Sequence, residues 1–178
     1  TSAGTASPKA AASAAVSSTP TTGSSTASGV TMGIGDSIMF GSKSALEKVI
    51  NGIKIDAVVG RQASEAFKII RQLKASNSLP NTLLLGVGTN GAIDPKDFRA
   101  ILTDLSGLSR IVLVTNRAPR PWIAGNNKLI AQVAGQFKNV SVVDWFSKSN
   151  DDPSLFVKDE IHLSPKGVKL YVSLVGAA

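Results

Sequence analysis

The chain has 178 residues, 19 of them basic and 12 acidic, for a formal charge of +7, with no cysteine and a single histidine, His162. These counts exclude a disulfide framework, cysteine-type zinc sites, a cysteine nucleophile and any multi-histidine metal site. No apolar run approaches the ~20 residues of a membrane span, and any imidazole chemistry must pass through His162.

Residues 1–28 contain 22 Ala, Ser or Thr and one charge, Lys9. Such a stretch cannot bury enough apolar surface to offset the entropy of ordering, so it reads as a flexible tether. The chain begins at Thr1 rather than Met, as an excised or processed fragment would. Residues 29–178 have the size of one ordinary domain, which buries about 70% of its unfolded surface. Nearly all of the positive charge lies there. That charge suits an anionic surface and equally describes an ordinary soluble one. Basic residues are spread out with few aromatics among them, which argues against nucleic acid as a partner.

From Gly29 onward, strand-like apolar runs at 30–34, 53–58, 82–87, 110–114 and 140–143 alternate with helical patterns. The helices are expected at 42–49, 63–74, 95–105 and 123–137, and a last one starts near Ser164 with Pro165 in its first turn. Each strand is short and nearly continuous in apolar content, as strands buried on both faces are. Five strands alternating with helices predict an α/β domain, a three-layer α/β/α sandwich with a five-stranded parallel sheet. Ligands bind such sheets beyond the carboxyl ends of the strands, so the polar residues at those ends matter most.

The first strand ends in Gly33-Ile34-Gly35-Asp36-Ser37. A dinucleotide fingerprint would need a glycine where Ile38 stands and an acid after the second strand; both are missing, as is any phosphate loop. The G-x-S-x-G elbow is absent too. Ser37 therefore reads either as a helix cap or as an exposed nucleophile. The second strand leads to Gly60-Arg61, and the third to Gly86-Val87-Gly88-Thr89-Asn90-Gly91. Gly60 fits a plain turn or a close backbone approach to a ligand. Asn90 fits a tight turn or an amide donor to an oxyanion. Near the C-terminus, Asp159-Glu160-Ile161-His162 sets an acid three residues before the histidine, where it can orient the imidazole for a serine.

These four segments resemble the blocks of the SGNH (GDSL) hydrolase superfamily: Gly35-Asp36-Ser37, Gly60, Gly88-Thr89-Asn90 and Asp159-x-x-His162. With their flanks, notably Val59-Gly60-Arg61-Gln62 and Thr89-Asn90-Gly91, they are similar to the extracellular catalytic domain of the Gram-positive peptidoglycan O-acetyltransferase A family. The resemblance spans 30–174 and implies a flavodoxin-like arrangement of the sandwich. It implies a Ser37, His162, Asp159 triad, with an oxyanion hole from the N–H groups of Ser37 and Gly60 and the Asn90 amide. It implies acetyl transfer through an acetyl-serine to the C6 hydroxyl of a peptidoglycan amino sugar, N-acetylmuramic acid above all, with no cofactor or metal. Without an acceptor, water would take the acetyl group. A membrane domain of the same full-length protein would supply acetyl, placing a monomeric domain outside the membrane on its tether. Glu160 departs from relatives that carry a small residue such as Gly there, and could tune acceptor binding or His162. A plain carbohydrate esterase, a lipase or thioesterase, and a non-catalytic wall-binding module are the alternatives.

Overall fold

The computed structural model describes residues 1–4 and 31–178; most of the expected tether lies outside the described residues. Five strands run β1 Thr31–Gly35, β2 Lys54–Ala57, β3 Thr82–Gly86, β4 Arg110–Val114 and β5 Val140–Val143. They form one parallel sheet in the order β2-β1-β3-β4-β5. This is the flavodoxin-like order, whose switch point lies between β1 and β3. The helices are α1 Ser37–Val49, α2 Ala63–Ala75, α3 Pro95–Asp104, α4 Ile123–Ala134, α5 Trp145–Ser149 and α6 Pro165–Gly176, with a 3-10 turn at Pro153–Leu155.

Side-chain alternation along the strands splits the interior in two. Leu83 and Leu85 of β3 join Ile111 and Leu113 of β4 against α2, α3 and α4, where Phe67 and Phe98 stack. Leu84, Val112 and Val114 face the other way, onto α1, α5 and α6. The expected three layers follow directly. The expectation that every strand is buried on both faces holds for β3 and most of β4. It fails for β2, where Lys54 is exposed and the rest half-buried, and for most of β5. Both are edge strands, and an edge covered on fewer sides keeps charge and partial exposure.

Two differences from the sequence expectations bear on function. Helix α1 begins at Ser37 rather than residue 42, because Asp36 caps it: its Oδ1 accepts from the Ile38 N–H at 3.1 Å. The capping reading of Ser37 is thereby corrected, since its neighbour does that work. The second difference is α5 and the 3-10 turn after it, where the sequence predicted no element. Both are under two turns long, too short for a period to register. They are started by Asp144 and by Asp152 before Pro153.

Within the second core Trp145 is 2% exposed, with ring centroids 5.4 Å from Tyr171 and 6.0 Å from Phe156, edge to face in both cases. This cluster carries the segment leading to His162. Trp145→Ala should cost about 3–5 kcal/mol, measured as a lower urea midpoint at unchanged slope.

Candidate active site

Ser37, Gly60 and Asn90 follow β1, β2 and β3 respectively, and Asp159 and His162 lie in the loop before α6. In a parallel sheet this brings the first three to one edge, at the switch point.

Ser37 is the first residue of α1 and 6% exposed. The first N–H groups of a helix have no intrahelical acceptor, so an oxygen at this position meets free donors. Asp36 beneath it is 1% exposed. Burial pushes its carboxyl above the usual range, opposed by hydrogen bonds from Ile38 and from the Thr89 backbone and hydroxyl. The Thr89 N–H reaches Asp36 Oδ2 at 3.4 Å, so the buried carboxyl ties the Ser37 turn to the loop carrying Asn90.

Gly60 is exposed with φ +80°, inside a turn closed by the Arg61 N–H on the Val58 carbonyl. A side chain there would be strained, which is why glycine occupies it. Arg61 is 7% exposed. Its Nη1 donates to the carbonyls of Gly35 (3.2 Å) and Asp56 (2.6 Å), and its Nη2 to Asp56 Oδ1 (2.6 Å). The Asn90 amide donates one proton to the Arg61 carbonyl at 3.3 Å, while Gln62 Nε2 donates to the Asn90 carbonyl at 2.7 Å. A primary amide has a second proton, which this leaves for a ligand.

The 88–91 loop is neither a hairpin nor loose. Asn126 Nδ2 donates to the carbonyls of Gly88 (3.0 Å) and Gly91 (2.9 Å), its Oδ1 accepts from Ile93, and Trp122 Nε1 donates to the Thr89 carbonyl at 3.2 Å. Gly88 has φ +119°, and a Cβ there would stand 2.7 Å from Asn116 Nδ2. Asp36, Thr89, Thr115, Asn116, Arg117 and Tyr171 are among the residues lining a small pocket of about 10 Å³. Sequence reasoning missed Asn116 and Asn126 as site supports, and read Arg117 only as the start of a 117–122 segment that forms either a groove wall or a Pro-stiffened surface loop. For Asn116 the signal was the polar run Thr115-Asn116-Arg117 just after β4.

Asp159 Oδ2 lies 2.5 Å from His162 Nδ1, and its Oδ1 accepts from the N–H groups of Ile161 and His162, each at 2.9 Å. The imidazole and these amides hold the Asp159 carboxyl down at about 2. An ionised Asp159 makes Nδ1 the donor and leaves Nε2 as the basic nitrogen. The pair is about half exposed. No hydrogen bond joins Ser37 to His162: the acid–imidazole link is closed and the imidazole–serine link is open. Such bonds are often long before substrate binds. Among the described residues no group of three or more His, Cys, Asp or Glu is arranged to hold a metal ion.

Two measurements check these contacts. In Asp36→Asn the amide NH2 would oppose the Thr89 N–H, so unfolding should become easier by about 1–3 kcal/mol and turnover should fall with it. For Asp159 the folded carboxyl lies below its ordinary 3.8, so its ionised form adds stability above that pH and loses it as pH falls towards about 2. Thermal melts of the wild type and Asp159→Asn should therefore differ at about pH 5 and converge as the pH is lowered to about 2.

The chain matches no family model. It is 36% identical over 145 residues to the peptidoglycan O-acetyltransferase OatA of Listeria monocytogenes, covering 82% of this chain and 23% of that protein. It is 37% identical over 143 residues to the O-acetyltransferase OatA of Staphylococcus aureus, covering 80% of this chain and 24% of that protein. The chain thus spans about a quarter of the length of the curated relatives it matches. In fold it matches the C-terminal catalytic domain of Streptococcus pneumoniae peptidoglycan O-acetyltransferase A, solved with a methylsulfonyl adduct. The TM-score is 0.74 at 24% identity, over 84% of this chain and 91% of that one. A G-D-S-L family lipolytic protein from Veillonella parvula gives a TM-score of 0.65 at 15% identity, covering 82% and 94%. With the parallel sheet and the four segments at its carboxyl edge, these similarities give the chain the fold of those solved structures and a sequence similarity, over about 80% of its length, to the O-acetyltransferases OatA.

Proposed function

We propose that this domain transfers acetyl groups to peptidoglycan through an acetyl-Ser37 intermediate. The observation that carries the reading is the Asp159–His162 pair at 2.5 Å, in a chain similar over 80% of its length to peptidoglycan O-acetyltransferases. An unassisted serine hydroxyl is too weak a nucleophile at neutral pH and needs an adjacent base.

In the first step Ser37 Oγ attacks the acetyl carbonyl while its proton passes to His162 Nε2. The carbonyl π electrons move onto oxygen, which is held by the N–H groups of Ser37 and Gly60 and the second proton of the Asn90 amide. The intermediate collapses to acetyl-Ser37, and the donor's leaving oxygen takes the proton from the imidazolium, which Asp159 stabilises. In the second step His162 takes a proton from the C6 hydroxyl of an amino sugar, most directly N-acetylmuramic acid, whose oxygen attacks the acetyl carbonyl; collapse breaks the bond to Ser37 Oγ, which takes the proton back from His162. Water in place of the sugar yields acetate. Residues 1–28 serve in this reading as the tether between the domain and a membrane portion that delivers acetyl at the outer face. No helix among the described residues is long and apolar enough to cross a membrane.

Ser37→Ala should abolish hydrolysis of an activated acetyl ester. Asn90→Ala should lower kcat by about 100- to 1000-fold with the fold intact; a change confined to KM would make Asn90 a ground-state contact. Incubation of an acetyl donor with muropeptide or chito-oligosaccharide should give acetylated sugar by mass spectrometry. Free acetate alone would make the domain an esterase.

A further inference from the structure

We propose that Arg117 is a positioning residue for the Asp159–His162 pair, holding the turn between them in a conformation that the turn's own residues disfavour. This rests on the roles given above to Asp159 and His162.

The turn 157–162 is closed by the Val157 N–H on the His162 carbonyl (2.8 Å) and the Glu160 N–H on the Val157 carbonyl (2.9 Å). Between the acid and the imidazole stands Glu160, with φ +58°. A residue with a Cβ adopts that left-handed conformation only at a cost, and it persists where surroundings over-determine it. Asp159 accounts for the N–H groups of Ile161 and His162. The Glu160 carbonyl is held from outside the turn, by Nη1 of Arg117 in the loop after β4, 43 residues away in sequence.

Arg117 grips the turn at a second point. Its guanidinium carbon lies 4.0 Å from the centroid of the Phe156 ring, a cation–π contact immediately before the turn. Phe156 itself bridges to Leu163, the residue after His162. The base of Arg117 is fixed in turn: the Asn116 N–H donates to Asn127 Oδ1 at 2.7 Å, and Asn127 Nδ2 donates to the Asn116 carbonyl at 2.8 Å. A chain of contacts therefore runs from α4 through Arg117 to the one strained residue between Asp159 and His162. With Arg117 gone, Glu160 relaxes to negative φ, and rotation at that residue changes the separation of the carboxylate and the imidazole on either side of it.

The test uses 4-nitrophenyl acetate hydrolysis by Arg117→Ala, Arg117→Lys, Arg117→Ala with Glu160→Gly, and His162→Ala, with folding followed by thermal melts. Arg117→Ala should lower kcat about 100-fold with KM within about threefold of wild type, the scale of a small misplacement of reacting groups. Arg117→Lys keeps a cation but not the planar fork and should fall between. Adding Glu160→Gly to Arg117→Ala should recover about tenfold, because glycine adopts φ +58° freely and the turn no longer needs the clamp. A double variant as slow as Arg117→Ala, or a loss expressed in KM, would overturn the proposal and make Arg117 a substrate contact. If Arg117→Ala does not fold, Arg117→Lys with and without Glu160→Gly makes the same comparison. Activity retained in His162→Ala would sink the underlying assignment; an inactive His162→Ala beside a fully active Arg117→Ala would sink this proposal alone.

Discussion

One buried cation organises the Ser37 side of the site. Taking a guanidinium out of water costs several kcal/mol, which only well-placed acceptors offset. Arg61 finds them on the Gly35 carbonyl ending β1 and on the carbonyl and carboxylate of Asp56 in β2. Satisfying that one side chain fixes where β1 ends relative to β2, and so where Gly60 stands relative to Ser37. Its own carbonyl then receives the Asn90 amide. Three residues from three strand ends thus share one anchor.

A buried carboxyl completes the frame. Asp36 caps α1 and accepts from Thr89, joining the first and third strand ends from below as Arg61 joins the first and second. Helix α4 adds a third brace, since Asn126 and Trp122 take up three carbonyls of the 88–91 loop. The loops carrying Gly60 and Asn90, which the proposed mechanism uses as donors to a developing negative charge, are therefore braced by the protein's own contacts. Preorganisation of this kind is where such sites derive most of their effect. The acid–imidazole side is built differently. Asp159 and His162 are about half exposed, so solvent screens the pair and limits what it adds to stability. Its geometry depends on local turn bonds and on the clamp from the loop after β4.

The fold was largely legible in sequence. Strand runs 110–114 and 140–143 coincide with β4 and β5, and the remaining strand and helix expectations err mainly at their ends. Continuous apolar runs between glycines leave little choice but buried parallel strands. The start of α1 was not legible, because Ser37-Ile38-Met39-Phe40-Gly41 carries no helical period; the cap at Asp36 decides it. Helix α5 was missed because five residues cannot display a period of 3.6.

The sequence by itself determined the chemistry available: one histidine, no cysteine, a serine after the first strand, and an acid three residues before the imidazole. Those facts are local, and the three-residue spacing puts Asp159 within range of His162. The tertiary structure alone decided how the pieces are held. Arg61 meets the Gly35 carbonyl across 26 residues, Asp36 meets Thr89 across 53, and Arg117 meets Glu160 across 43. Buried charges and unpaired carbonyls choose partners by proximity in the folded chain, and no periodicity or motif encodes that proximity.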